Sequence, residues 1–197
     1  MDHYLAVGRA LLPVMLLWVC GASLVSADEA EKIGPEEEAY LLWQEGYFLH
    51  LMGQYDSAIT RFTESIANHP TAEAYTFRGW SLSMQGRLPE AISECKQAID
   101  LDPEYGNPYN DIGVYLIDLG RPDEAIPWLK KAMGAKRYCC YQYPHFNLGR
   151  VLLLKGRLTE AIESFERALS YEPDYEPALK ALKYIRDYIR ERGLEAV

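Results

Sequence analysis

Cys139 and Cys140 are adjacent, and His145 follows on the same stretch; these are the residues of this chain best placed to do chemistry. Vicinal thiols can close a strained eight-membered disulfide ring, easily reduced and able to act as a redox switch. As metal ligands, three side chains on one loop with no second cluster fall short of the four that structural zinc takes. No metal site and no cofactor are expected. The same stretch, residues 136–146 (KRYCCYQYPHF), also carries Tyr138, Tyr141 and Tyr143. It reads equally as an aromatic loop lying over the fold. Cys95 falls at an apolar position and reads as buried packing.

Catalytic patterns are missing from the rest of the chain. It holds no GxSxG, HExxH, phosphate loop or GxGxxG. His50, His69 and His145 lie far apart, with no Ser or Asp in register as a partner. The expectation is a protein that is not an enzyme. Acids outnumber bases 29 to 20, a net charge of −9. Nucleic-acid binding rests on neutralising phosphates with Lys and Arg, so that balance argues against such a partner.

The first 27 residues differ from the rest. Arg9 precedes an apolar run from Ala10 to Val19, and Val25-Ser26-Ala27 places small residues before an abrupt acidic stretch at Asp28, Glu29 and Glu31. These are the parts of a cleavable export signal cut after Ala27, which implies a periplasmic or secreted product. If the segment is retained it becomes a membrane anchor, although the run is short for a span and contains Pro13. Cys20 follows the bulky Val19, which argues against lipidation. Residues 28–38 read as a flexible acidic leader.

The remainder is one motif written four times. Gly46, Gly79, Gly113 and Gly149 are each followed by a second glycine, Gly53, Gly86, Gly120 or Gly156, and then by Ala58, Ala91, Ala125 or Ala161. Pro70, Pro103 and Pro173 close three units, and Arg137 takes that place in the third. The second glycines read as left-handed stops for a first helix. The first glycines mark where that helix crosses its partner. Pro127 lies inside the second helix of the third unit, where a mild kink is expected.

This pattern resembles the tetratricopeptide repeat, a 34-residue helix–turn–helix. The match is best at 142–175, where Leu148, Gly149, Leu152, Gly156, Ala161, Phe165, Ala168 and Pro173 stand at the family's positions. The resemblance implies an all-α fold, a right-handed superhelical solenoid with repeats at 39–71, 72–105, 106–141 (with an extended connection) and 142–175. A capping helix over 176–192 is expected to bury Leu179, Leu182, Ile185 and Ile189. Its Lys180, Lys183, Arg186 and Arg190 read either as a solvated face or as a partner site.

The resemblance further implies that the first helices line a concave groove for a peptide or helix of a partner protein. In the family register the groove positions hold Tyr40, Trp43, Gln44, Tyr47 and His50, then Thr76, Phe77, Trp80 and Met84. Asn107, Asn110, Asp111 and Val114 follow, and Phe146, Asn147 and Arg150 complete the wall. Aromatics and Arg are the residues that anchor interfaces. The alternative is that Trp43, Phe77 and Trp80 pack between neighbouring helices. Family members that clamp a terminal carboxylate use Lys, Asn, Asn, Lys and Arg. Here those positions hold Trp43, Tyr47, Phe77, Asn107 and Asp111, so a carboxylate clamp is not expected.

Overall fold

The computed structural model describes residues 33–193. The export signal, Cys20 and the first part of the acidic leader lie outside the described residues. Nine α-helices make up the described chain: α1 (Pro35–Leu51), α2 (Tyr55–Asn68), α3 (Ala72–Met84), α4 (Leu88–Leu101), α5 (Gly106–Asp118), α6 (Pro122–Gly134), α7 (Gln142–Leu154), α8 (Leu158–Tyr171) and α9 (Glu176–Arg192). The helices run as four consecutive pairs followed by α9, which packs on α8. One boundary moves: α1 begins at Pro35, so Glu36, Glu37 and Glu38 form its first turn instead of ending a flexible leader. Proline at the helix start and acids near its positive end favour that placement.

Each pair turns on a glycine. Gly53, Gly86, Gly120 and Gly156 have φ of 74°, 76°, 72° and 71°, the left-handed stop anticipated from the sequence. The other glycines mark helix crossings. A Cβ on Gly149 would stand 2.6 Å from the Phe165 ring, and one on Gly113 would stand 2.5 Å from Leu129. Phe62, Leu129 and Phe165 therefore sit fully buried at equivalent points of three pairs, with Cys95 in the fourth. Removing such a phenylalanine costs about 3–5 kcal/mol in well-packed cores. Helix α6 runs through Pro127 to Gly134.

Consecutive helices pack in sequence, and α1 also touches α3, α3 touches α5 and α5 touches α7. Among the described residues the second helices do not approach each other to that extent, so the array curves with its first helices inside. The cap differs in one residue from expectation. Its buried face is Ala178, Leu182 and Ile185, with Ile189 packed beside them, while Leu179 is exposed. Leu179 lies about 100° around the helix from Ala178, which takes it off that face.

The connection after α6 is anchored backwards. The Arg137 backbone N–H donates to the Glu104 carbonyl at 2.9 Å, and its own carbonyl accepts from Gly106 N–H at 3.1 Å. Proline, which closes the other units, has no N–H to give. The Arg137 guanidinium reaches Glu73 on α3 at 2.5 Å and Asp102 at 2.6 Å, and lies 4.1 Å from the Tyr105 ring centroid. These pairs are partly exposed, so they contribute about 1 kcal/mol.

Candidate functional site

The inner wall starts with aromatics. On α1, Tyr40, Trp43 and Tyr47 stack in a row at 6.1 and 5.7 Å between ring centroids. Their spacing of three and four residues places them on one helix side. Tyr40 and Gln44 are exposed, while Trp43 and Tyr47 are half-buried. The Trp43 indole N–H is enclosed and has no hydrogen-bond partner among the described residues. Met84 is exposed at the far end of α3, and Trp80 is half-buried.

Phe77 does not belong to the open wall. It is only 6% exposed and packs with Ala58 and Phe62, its ring meeting Trp43 and Tyr47 edge-on at 5.3 and 5.2 Å. Its aromatic ring is needed where α3 closes the first pair, so packing decides its place. Thr76 is buried as well and spends its hydroxyl on the Ala72 carbonyl at 2.7 Å. His50 lies under Trp80, with ring centroids 3.9 Å apart, and bonds Ser81 through Nδ1 at 2.9 Å. Burial lowers its pKa to about 4, so it is neutral at pH 7.

The middle of the wall is polar and internally bonded. Arg150 donates to the Asn147 amide oxygen at 3.1 Å, Asn147 donates to Asn110 at 3.1 Å, and Asn110 leans on Asp111 at 3.4 Å. Asn110 and Asn147 are 9% and 6% exposed, so these amides face each other across α5 and α7 more than they face the groove. A buried amide must be paired, and here each answers the other. Asn107, Asp111 and Val114 are half-buried. Burial pushes the Asp111 carboxyl up to about 7, and the Asn110 hydrogen bond only partly offsets it.

Phe146 packs against Phe165 and Tyr175 at 5.5 and 5.4 Å. Beyond it the wall opens into a cleft of about 530 Å³ between the end of α7, the start of α8 and α9. Arg150, Leu153, Leu154, Leu158, Tyr184 and Tyr188 line it. The groove positions expected from the sequence stop at Arg150 and so pass over Leu153, Leu154 and both tyrosines. Continuing that register into the cap, which packs on α8, places Tyr184 and Tyr188 on the groove side.

The cysteine loop lies apart from this wall. Cys139 and Cys140 are joined in a disulfide, Cys139 exposed and Cys140 packed near Tyr138 and Ala135. His145 is not with them: it stacks on Tyr171 at 5.4 Å. Among the described residues no group of three His, Cys, Asp or Glu side chains could hold a metal ion. The aromatic reading of the loop has direct support, since Tyr138 packs directly over Gly106 and Tyr141 bonds the Ala135 carbonyl at 2.8 Å. No helix of the described residues is long and apolar enough to cross a membrane.

Comparison with known proteins agrees with this architecture. Models of the tetratricopeptide repeat match residues 52–106, 107–139 and 142–175. The TPR repeat-containing thioredoxin TTL4 of Arabidopsis thaliana is 30% identical over 154 residues, covering 70% of this chain and 21% of that protein. The chain spans about a fifth of the length of the curated relatives it matches. Among solved structures, PilF of Pseudomonas aeruginosa superposes with a TM-score of 0.70 at 21% identity, covering 81% of this chain and 74% of that one. PilW, a type IV pilus biogenesis factor, gives 0.71 at 20% identity, covering 79% and 71%. At those identities the likeness is one of fold.

Proposed function

Because this chain belongs to the tetratricopeptide repeat family, a family of protein-interaction modules, we propose that its inner wall holds an extended segment or helix of a partner protein. The site is the one built by α1, α3, α5 and α7, and the chain serves in assembling an envelope or secreted complex. The observation that carries the reading is the aromatic row Tyr40–Trp43–Tyr47, continued by Trp80 and Met84, on the concave side of the array. Large apolar side chains left open in a groove are what an amphipathic helix or extended peptide covers. No catalytic family is among the matched models, and the chemistry of the wall is that of contact, not of bond making.

A photo-crosslinking amino acid placed singly at Tyr40, Gln44 or Met84 tests this, with Gln97 and Glu166 on the outer helices as controls. All five are exposed. In extract from the source cells, the groove positions should yield a discrete adduct and the outer positions none. Adducts from the outer positions alone would place the partner on the other face.

A second reading is favoured by one observation, the bond between Cys139 and Cys140. In it, a cellular dithiol attacks one sulfur, two thiols result on this chain, and the dithiol leaves as a disulfide. The α6–α7 connection is then a redox-responsive element. Export after cleavage at Ala27 belongs to the same proposal, since an oxidising compartment keeps such a bond closed. The intact mass of the unreduced protein from its source checks both: the expected species starts at Asp28 and is two hydrogens lighter than the dithiol. Two free thiols would end the redox reading, and a retained first segment would turn the exported product into a tethered adaptor.

A further inference from the structure

The cleft between α7, α8 and α9 combines two kinds of surface. Leu154 is 68% exposed and Tyr184 63% exposed, an unusual loss of apolar surface to water for side chains that line a concavity. Cations stand on its edge. Arg150 lines it, using one donor on Asn147 and reaching Asp118 only at 3.9 Å. A guanidinium has five N–H donors, so most of its capacity is unspent. Arg192 lies 5.0 Å from the ring centroid of Tyr188 at the other side.

The charge along the array is asymmetric in the same sense. Helix α1 carries Glu36, Glu37, Glu38 and Glu45 and no Lys or Arg. Helix α9 carries Lys180, Lys183, Arg186, Arg190 and Arg192 against Glu176, Asp187 and Glu191. A molecule of net charge −9 thus places its most basic helix beside its open apolar cleft.

We propose that this cleft is a pocket for a partner segment that presents an aliphatic side chain beside an acidic one, the apolar group between Leu154 and Tyr184 and the carboxylate on Arg150. The proposal rests on the groove reading above and gives that groove an end with its own specificity. The carboxylate is a side-chain one. A chain terminus is gripped by several convergent donors, whereas here Arg150 is the only cation that lines the cleft itself, Arg192 lying against the Tyr188 ring. A side-chain carboxylate needs only one such bidentate partner.

The test uses the full chain and blocked peptides followed by methyl and amide NMR. Acetyl-leucine-leucine-glutamate amide should shift the resonances of Leu153, Leu154 and Ile185, and should bind roughly tenfold more tightly than its glutamine counterpart. Arg150→Gln should erase that preference, and Arg150→Lys, checked for helicity by circular dichroism, should retain part of it. Leu154→Ala with Tyr184→Ala should weaken both peptides. Equal binding of the two peptides, shifts mapping elsewhere, no binding, or a preference that survives Arg150→Gln would each overturn the pocket. So would a glutamine peptide with a free terminal carboxylate that matches the glutamate peptide. The outcomes separate from those of the groove: adducts at Tyr40 without peptide binding leave the groove and remove the pocket, and the reverse result removes only the aromatic wall.

Discussion

Asp111→Asn should stabilise the protein at pH 8 by about 2 kcal/mol and leave its stability at pH 3.5 nearly unchanged. Burial holds the folded carboxyl at about 7, against an ordinary value of 3.8. The native state therefore takes up a proton at Asp111 over that interval while the unfolded chain has released it. The stability tied to the neutral acid is complete below pH 3.8 and is lost as the pH rises through 7. Asparagine keeps the shape, can still accept from Asn110, and never ionises. The full shift would give a larger figure, reduced here because Asp111 is half-buried and water screens it. Urea denaturation of both proteins at the two pH values measures it. An equal effect at both would mean that ionisation is not what Asp111 contributes.

His50→Asn should change the slope with which stability responds to acid. The folded imidazole titrates at about 4 and the unfolded one at 6.5, because burial disfavours the cation. Its contribution is complete above pH 6.5 and is lost as the pH falls through 4, worth about 3 kcal/mol over the interval. Between pH 4 and 6.5, then, folding excludes a proton at His50 and takes one up at Asp111. The two slopes oppose, so the contributions of these two residues largely offset each other there. Without His50 the balance shifts toward the Asp111 slope, and stability should gain less, or lose more, than wild type as the pH rises from 4 to 6.5, with His145 keeping part of the opposing slope. Without Asp111 stability should climb. Asparagine at position 50 preserves a bond to Ser81 but loses the ring contact with Trp80, so the slope, not the absolute stability, is the readout. Parallel profiles for wild type and both variants would contradict the compensation.

The helical array is legible because its signal is periodic. Four glycine pairs and their alanines set helix, turn and crossing, and each falls where its missing side chain or positive φ demands. The end of α1 nearest the leader is easily misread, because an acidic run looks like solvated chain until Pro35 is recognised as a helix start. The wall is legible only in part. Register says which side of a helix a residue takes, but not how closely the next helix approaches. Tyr40 and Met84 stay open, while Phe77, on the same side, is closed over by Phe62 and its neighbours. The amides need a partner found only in three dimensions: Asn110 and Asn147 are 37 residues apart and bond each other. Tyr184 and Tyr188 escape the register because the repeat pattern fades in the cap, although the cap continues the packing.

Arrays of this kind behave as one-dimensional chains of coupled units, in which each repeat senses only its immediate neighbours and opening proceeds inwards from an end. Arg137 strengthens one such neighbour contact. Standing after the third pair, it holds Glu73 at the start of the second. The second repeat cannot detach without giving up a contact owned by the connection to the fourth. The boundary between the second and third repeats thus carries an ionic tie in addition to its helix packing. The first repeat is tied to the second in another way, through His50 with Ser81, Arg78 with Thr63 and Gln85 with Asp56, and the aromatic row sits on it. A partner that grips α1 therefore meets an aromatic row already held in place by the neighbouring repeat.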